Sequence, residues 1–187
     1  MPTRPRPGST TRPVPGDFDA TALFHAMDAA RVEQGLSWPR LAKEIWEQSA
    51  LLNAQRRDHP ISPSTLTGIQ KRGDCTCQHA LFILRWLKLP PEAFVDGSHA
   101  PEALLPLPDP GPERRFLWDL RRLCAAVDTQ RAVSGLTWAE LAAQLHCTTS
   151  QLTGLRKIRF AISMRLAMRL VHWLEQPARA FIYMARW

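Results

Sequence analysis

No apolar run in this 187-residue chain approaches the roughly 18–20 residues that a membrane-spanning helix requires. The first residues, MPTRPRPGSTTRPVPG, carry arginines but no apolar stretch, which argues against a secretory signal. The expectation is a cytoplasmic protein. There is no Gly-rich phosphate loop, no paired-carboxylate motif and no nucleophile elbow. The six histidines (His25, His59, His79, His99, His146 and His172) are scattered, so an enzyme is not expected and no cofactor is implied. Of the four cysteines, Cys124 and Cys147 fall on apolar faces, where the thiol acts as a small hydrophobe. Cys75 and Cys77, with His79 beside them, lack a second ligand pair at zinc spacing, and a turn leading into a helix is the better reading than a metal site. Alternating strand patterns are also absent, which leaves an all-α fold.

Positive charge is unevenly spread. The net charge of +7 breaks down as +3 in residues 1–16, 0 in 17–95, −3 in 96–112 and +7 in 113–187. Such an excess at the C-terminal end and in the N-terminal arm suits a polyanion such as DNA. Arg far outnumbers Lys, and Ala and Pro are abundant, so a GC-rich, bacterial genome accounts for part of the arginine.

Two segments read as non-globular. Residues 1–16 hold five prolines and almost nothing apolar, which predicts a disordered arm. Residues 96–112, DGSHAPEALLPLPDPGP, also hold five prolines and predict an extended, semi-stiff linker. Between and after them, the chain repeats itself. Gly35–Ala42 matches Gly135–Ala142 at five of eight positions with an offset of 100, and Ser64–Lys71 matches Ser150–Lys157 at five of eight with an offset of 86. RWLKLPPEAF (85–94) matches HWLEQPARAF (172–181) at an offset of 87. The period is too long for a solenoid unit; it marks a duplicated domain, 17–95 and 113–187, whose first copy carries 14 extra residues between the first two matched segments.

In the second copy, Phe116, Leu120, Leu123 and Val127 predict helix 1 by their spacing. Thr137 with Glu140 forms a capping box for helix 2, whose buried face is Trp138, Leu141, Ala142 and Leu145. His146-Cys147 makes a short turn. Thr148 with Gln151 forms a second capping box for helix 3, with Leu152 and Leu155 inward and Thr149, Ser150, Thr153 and Arg156 outward. Helix 4 starts near Ser163, and Pro177 opens a fifth helix holding Phe181 and Ile182.

The segment TWAELAAQLHCTTSQLTGLRK (137–157) and the two helices after it resemble the lambda-repressor and Cro-like helix-turn-helix family, often called Xre-type regulators. The resemblance covers most of 113–187 in order and 17–95 with an interruption. It implies two tandem five-helix domains joined by the Pro-rich linker, and double-stranded DNA as partner. Two departures stand out. The family usually has Gly where His146 stands, so that turn is expected to be slightly altered. Its phosphate-touching Gln at the start of helix 2 is Trp138 here and Trp38 in the first copy, where packing on helix 1 is the expectation.

The major groove admits one α-helix, and bases are read there by hydrogen bonds and methyl contacts. By the family's geometry, Thr149, Ser150 and Thr153 face base edges with Gln151 beside them; Thr148, Arg156, Lys157 and Arg159 hold phosphates. Gly inside a helix costs about 1 kcal/mol relative to Ala, yet Gly154 and Gly68 occupy equivalent places. Something is therefore expected to approach closely, helix 2 in preference to the DNA backbone.

In the first copy, helix 2 is predicted to run on from Ser37 for about 20 residues. Asp58-His59-Pro60 then turns the chain, and Ser62 caps helix 3 with Pro63 at its first position. Ser64 and Thr67 remain to face bases, with Lys71 and Arg72 for phosphates. Two readings of this neutral copy compete. It reads a second half-site, or its long helix 2 pairs with a protein partner or a second copy of the chain. Arg4, Arg6 and Arg12 either add phosphate or minor-groove contacts or merely solubilise. The rival to a nucleoid-associated DNA-binding regulator is an antitoxin-like adaptor that binds protein.

Overall fold

A computed structural model describes residues 15–56, 58–97, 101–157 and 162–186. The first module comprises α1 (Ala20–Glu33), α2 (Trp38–Glu47), α3 (Ala50–Ala54), α4 (Pro63–Arg72) and α5 (Cys77–Leu87), closed by a 3-10 turn over Pro91–Phe94. The second comprises β1 (Arg115–Trp118), α6 (Leu120–Val133), α7 (Trp138–Gln144), α8 (Thr149–Lys157) and α9 (Met164–Trp173), a 3-10 turn over Ala178–Phe181, and β2 (Ile182–Ala185).

The protein is predominantly helical, and its helix starts follow local chemistry. Asp19 and Asp119 cap α1 and α6, Ser37 and Thr137 cap α2 and α7, and Thr76 and Ser163 cap α5 and α9 through side-chain oxygens. Each such cap contributes about 1 kcal/mol. Detailed contacts repeat as well. Arg31 pairs with Asp28, donates to the Leu36 carbonyl and lies over the Trp38 ring. Arg131 does the same with Asp128, Leu136 and Trp138. Trp38 also stacks on Phe24 of α1, so this indole packs towards helix 1 as expected.

Several expectations are corrected. Residues 115–118 and 182–185 are strands, not helix: β1 pairs antiparallel with β2 in the register Phe116 to Met184 and Trp118 to Ile182. The first helix of the second module therefore starts at Leu120, since Asp119 ends the strand and caps the helix. Pro177 opens a single 3-10 turn, and Ile182 begins β2 rather than extending a fifth helix. Phe116, Trp118, Ile182 and Tyr183 are aromatic or β-branched residues that suit a half-buried ribbon. The first module keeps a remnant of the same ribbon, a lone bridge between Phe18 and Val95.

The long helix 2 is broken. α2 ends at Glu47, and buried Ser49 leaves the helical path to donate its hydroxyl to the Arg114 carbonyl, 2.8 Å away. α3 follows as a short segment whose Leu52 amide reaches the Pro112 carbonyl. Apolar periodicity carries straight through 38–54; a tertiary hydrogen bond decides the break.

The Pro-rich linker is docked rather than extended as a free spacer. Pro101–Leu104 forms a 3-10 turn and Pro110 is buried. Prolines lack N–H groups and leave carbonyls seeking donors, and Arg85 supplies them. Its guanidinium reaches the Gly111 and Arg114 carbonyls, the Ser49 hydroxyl and the Asp109 carboxylate.

One continuous apolar core runs through both modules, from Phe18 and Leu23 to Leu170 and Phe181. Where the modules meet, α5 packs on β1, and Gly16, ahead of the first module, presses its backbone against His172 of α9. Gly16 has φ +80°, so both the space and the backbone demand glycine there.

Candidate nucleic-acid interface

α8 packs against α6 and α7, with Leu152 fully buried and Leu155 nearly so. The opposite face carries Thr149, Ser150 and Gln151, all exposed, and Thr153, half-buried. The Thr148–Gln151 capping box forms as the sequence predicts: the Gln151 amide donates to Thr148 Oγ1 at 3.2 Å, and the Thr148 amide donates to Gln151 Oε1 at 2.8 Å. Oε1 also accepts from the Thr148 hydroxyl. A bidentate grip on adenine by Gln151 would therefore compete with the helix cap, leaving Thr149 and Ser150 as the unencumbered polar groups of the first turn. The Thr153 hydroxyl donates to the Ser150 carbonyl, 3.4 Å away.

The turn before α8 reaches a left-handed backbone without glycine. His146 adopts φ +48°, the left-handed region where His is among the better tolerated non-Gly residues. The His146 and Cys147 amides donate back to the Ala143 and Ala142 carbonyls. Arg169 of α9 clamps the turn, donating from Nη1 to the Leu145 and His146 carbonyls at 2.9 and 2.8 Å while Nε meets Asp17. Sequence reasoning missed Arg169, because a contact 23 residues away leaves no local pattern.

Gly154 corrects another expectation. A Cβ there would meet nothing within 4 Å, so helix 2 does not crowd it. At Gly68 the crowding comes from Arg72 of the same helix, whose guanidinium folds back over the glycine and donates to the Thr65 carbonyl.

The sequence around α8 carries charge of one sign, although Arg169 is paired with Asp17 from the start of the first module. No Asp or Glu occurs between Glu140 and Glu175, whereas Arg156, Lys157, Arg159, Arg165 and Arg169 do. The side chains of Arg156 and Lys157, and all of Arg159, Arg4, Arg6 and Arg12, lie outside the described residues.

In the first module, Ser62 caps α4 and Pro63 takes its first position. Ser64 and Thr67 are exposed, though the Ser64 hydroxyl bonds Ser62 and the Thr67 hydroxyl donates to the Pro63 carbonyl. Lys71 and Arg72 are exposed in the last turn. The structure thus gives α4 and α8 matching places in their modules, but α4 offers fewer uncommitted groups.

Cys75 and Cys77 are buried. Burial, reinforced by Asp74, pushes the Cys75 thiol up to about 12, and burial likewise raises Cys77. Both therefore stay protonated, and the Cys77 thiol points to the Ser163 carbonyl. Burial, and then Arg72, lowers the pKa of His79. Among the described residues no group of three or more His, Cys, Asp or Glu is placed to hold a metal ion, and no helix is long and apolar enough to cross a membrane. A cleft of about 670 Å³ opens between α5 and the docked linker, but Arg85 and Asp109 on its wall are paired with each other. Comparisons of the chain with protein-family models, with characterised proteins and with solved structures find no match.

Proposed function

We propose that the chain is a sequence-specific double-stranded DNA-binding regulator, built on tandem lambda-repressor-like modules, with α8 lying in the major groove. The observation that carries this reading is the exposed small-polar face of α8, capped at Thr148 and set in an acid-free, arginine-rich stretch. Thr149, Ser150 and Thr153 read base edges and thymine methyls, with Gln151 principally holding the cap. Thr148 at the helix N-terminus, then Arg156, Lys157 and Arg159, hold phosphates. Lys71 and Arg72 in the last turn of α4 have the corresponding role, and Arg4, Arg6 and Arg12 add phosphate or minor-groove contacts.

The adaptor reading loses one support. The form of it that pairs the first module through a long helix 2 meets a segment broken at Ser49 and occupied by the chain's own residues 112 and 114. The test is selection from a random duplex pool. Enrichment of a motif supports the reading, provided that log affinity falls against log salt with a slope of about 0.9 for each phosphate engaged. Failure to retain any duplex in dilute buffer overturns it.

A further inference from the structure

The two modules exchange equivalent contacts. The Cys77 amide donates to the Ile162 carbonyl at 2.9 Å, and the Met164 amide donates to the Cys75 carbonyl at 2.8 Å. With the offset of 87 these are the same bond made in each direction, and they flank an antiparallel bridge between Thr76 and Ser163, the caps of α5 and α9. The flanking contacts cross over too: Gln78 of α5 donates to the Phe116 carbonyl, while α9 receives Gly16 at His172 and Asp17 at Arg169. At the offset of 100, Gly16 is the counterpart of Phe116. Reciprocal exchange of one patch is the signature of an isologous two-fold interface, made here within one polypeptide.

We propose, resting on the DNA-binding reading above, that the chain is a built-in dimer. A local two-fold axis passes between Thr76 and Ser163, and a single chain occupies an unequal two-part duplex site whose half-site centres lie one helical turn apart. The C-terminal end of α4 leads towards this axis, and residues 158–162 separate α8 from it along the chain. Only residues 73–75 separate α4 from the bridge, and Arg165 of α9 donates to the Gly73 carbonyl. Chain reach then limits the geometry. At about 1.5 Å per helical residue and at most about 3.6 Å elsewhere, the midpoints of α4 and α8 lie within about 55 Å of each other. One turn of duplex separates half-sites by about 34–36 Å and two turns by about twice that, so only the single-turn spacing is accessible. The halves are unequal because α8 presents Thr149 where α4 presents Pro63, and because the second module carries the positive charge.

The experiment uses the full chain and varies only the DNA, so misfolding does not intervene. A site is selected from random duplex, and its two halves are then separated by inserting half a turn or one full turn of duplex, about 5 or 10 base pairs. The expected results are a two-part motif, one chain per site in stoichiometric titration, and an affinity loss of about tenfold or more for both insertions. Recovery with the full-turn insertion would mean independently tethered modules and overturn the proposal. Two chains per site would overturn it as well, as would a single-part motif that leaves DNA recognition itself intact. If no duplex binds, the underlying DNA-binding reading fails instead.

Discussion

The two modules share caps, turn glycines, cation–π pairs and core positions, yet differ in what fills the space between the second and third helices. In the second module that space is the tight His146-Cys147 turn, clamped by Arg169. In the first it holds α3 and the residues that lead on to buried Ile61, and side chains from this stretch reach the second module. Asn53 and Asp58 meet Arg115 of β1, whose guanidinium also lies 5.4 Å from the Trp46 ring and 5.8 Å from Phe82. One copy has kept an open polar helix, and the other has spent its extra residues on holding its sibling. The repeat supplies a second copy of the same helical unit, and its extra residues make that copy a scaffold for its sibling.

The sharpest way to break that comparison is at Arg115. Arg115→Ala strips Asp58 of one partner and removes the donor that meets Asn53 Oδ1. Removing one member of a buried pair costs about 3–5 kcal/mol; Asp58 keeps some exposure, so the lower end of that range is expected. Chemical denaturation should register it, and a change under about 1 kcal/mol would show that the insertion does not hold the modules together. Asp58 contributes through ionisation. Arg56 chiefly, and Arg115 as well, hold its pKa below the usual carboxylate value. Its share of stability is therefore present above the unfolded-state pKa, near 3.9, and declines as pH falls through the lower folded value. Asp58→Asn should flatten the acid limb of the stability profile.

Next in size are α8 and α4, under the DNA-binding proposal. Arg156→Ala with Lys157→Ala is expected to weaken duplex binding by about ten- to a hundredfold and to reduce the salt slope by about 2. Lys71→Ala with Arg72→Ala should cost less, because Arg72 is already folded onto its own helix. Equal losses would erase the distinction between a strong and a weak half. Thr153→Ala should alter the selected sequence more than the overall affinity.

Glycine replacement gives the smallest and cleanest contrast. Gly154→Ala enters open space and should stabilise the fold by about 0.4–1 kcal/mol in thermal unfolding. Gly68→Ala displaces the Arg72 guanidinium and should gain less. If Gly154→Ala stabilises the protein yet weakens duplex binding, the glycine serves close approach of a phosphate backbone.

Much of the fold is legible in the sequence because it is local. Asp, Ser and Thr caps, the two capping boxes and the left-handed turn glycines at Gly35 and Gly135 depend on residues three or four apart. The internal repeat pairs the equivalent helices of the two modules without reference to coordinates. The polar face of α8 is legible for the same reason, since its caps and its inward leucines lie within one short segment. What escaped is decided at long range. Ser49 breaks a well-patterned helix for the sake of a carbonyl 65 residues away. The ribbon joins the two ends of the second module, where Trp118 meets Ile182 and Arg115 meets Ala185. Its strands are only four residues each, too short for an alternating pattern to stand out beside the helix that follows.

The junction at Thr76 and Ser163 has a consequence for abundance. A regulator that must find a second copy of itself loses its active form as the square of its concentration when it becomes scarce. Under the built-in-dimer proposal the two halves belong to one polypeptide joined by a docked connector, so their union does not depend on concentration. Occupancy of a duplex target would then follow copy number linearly.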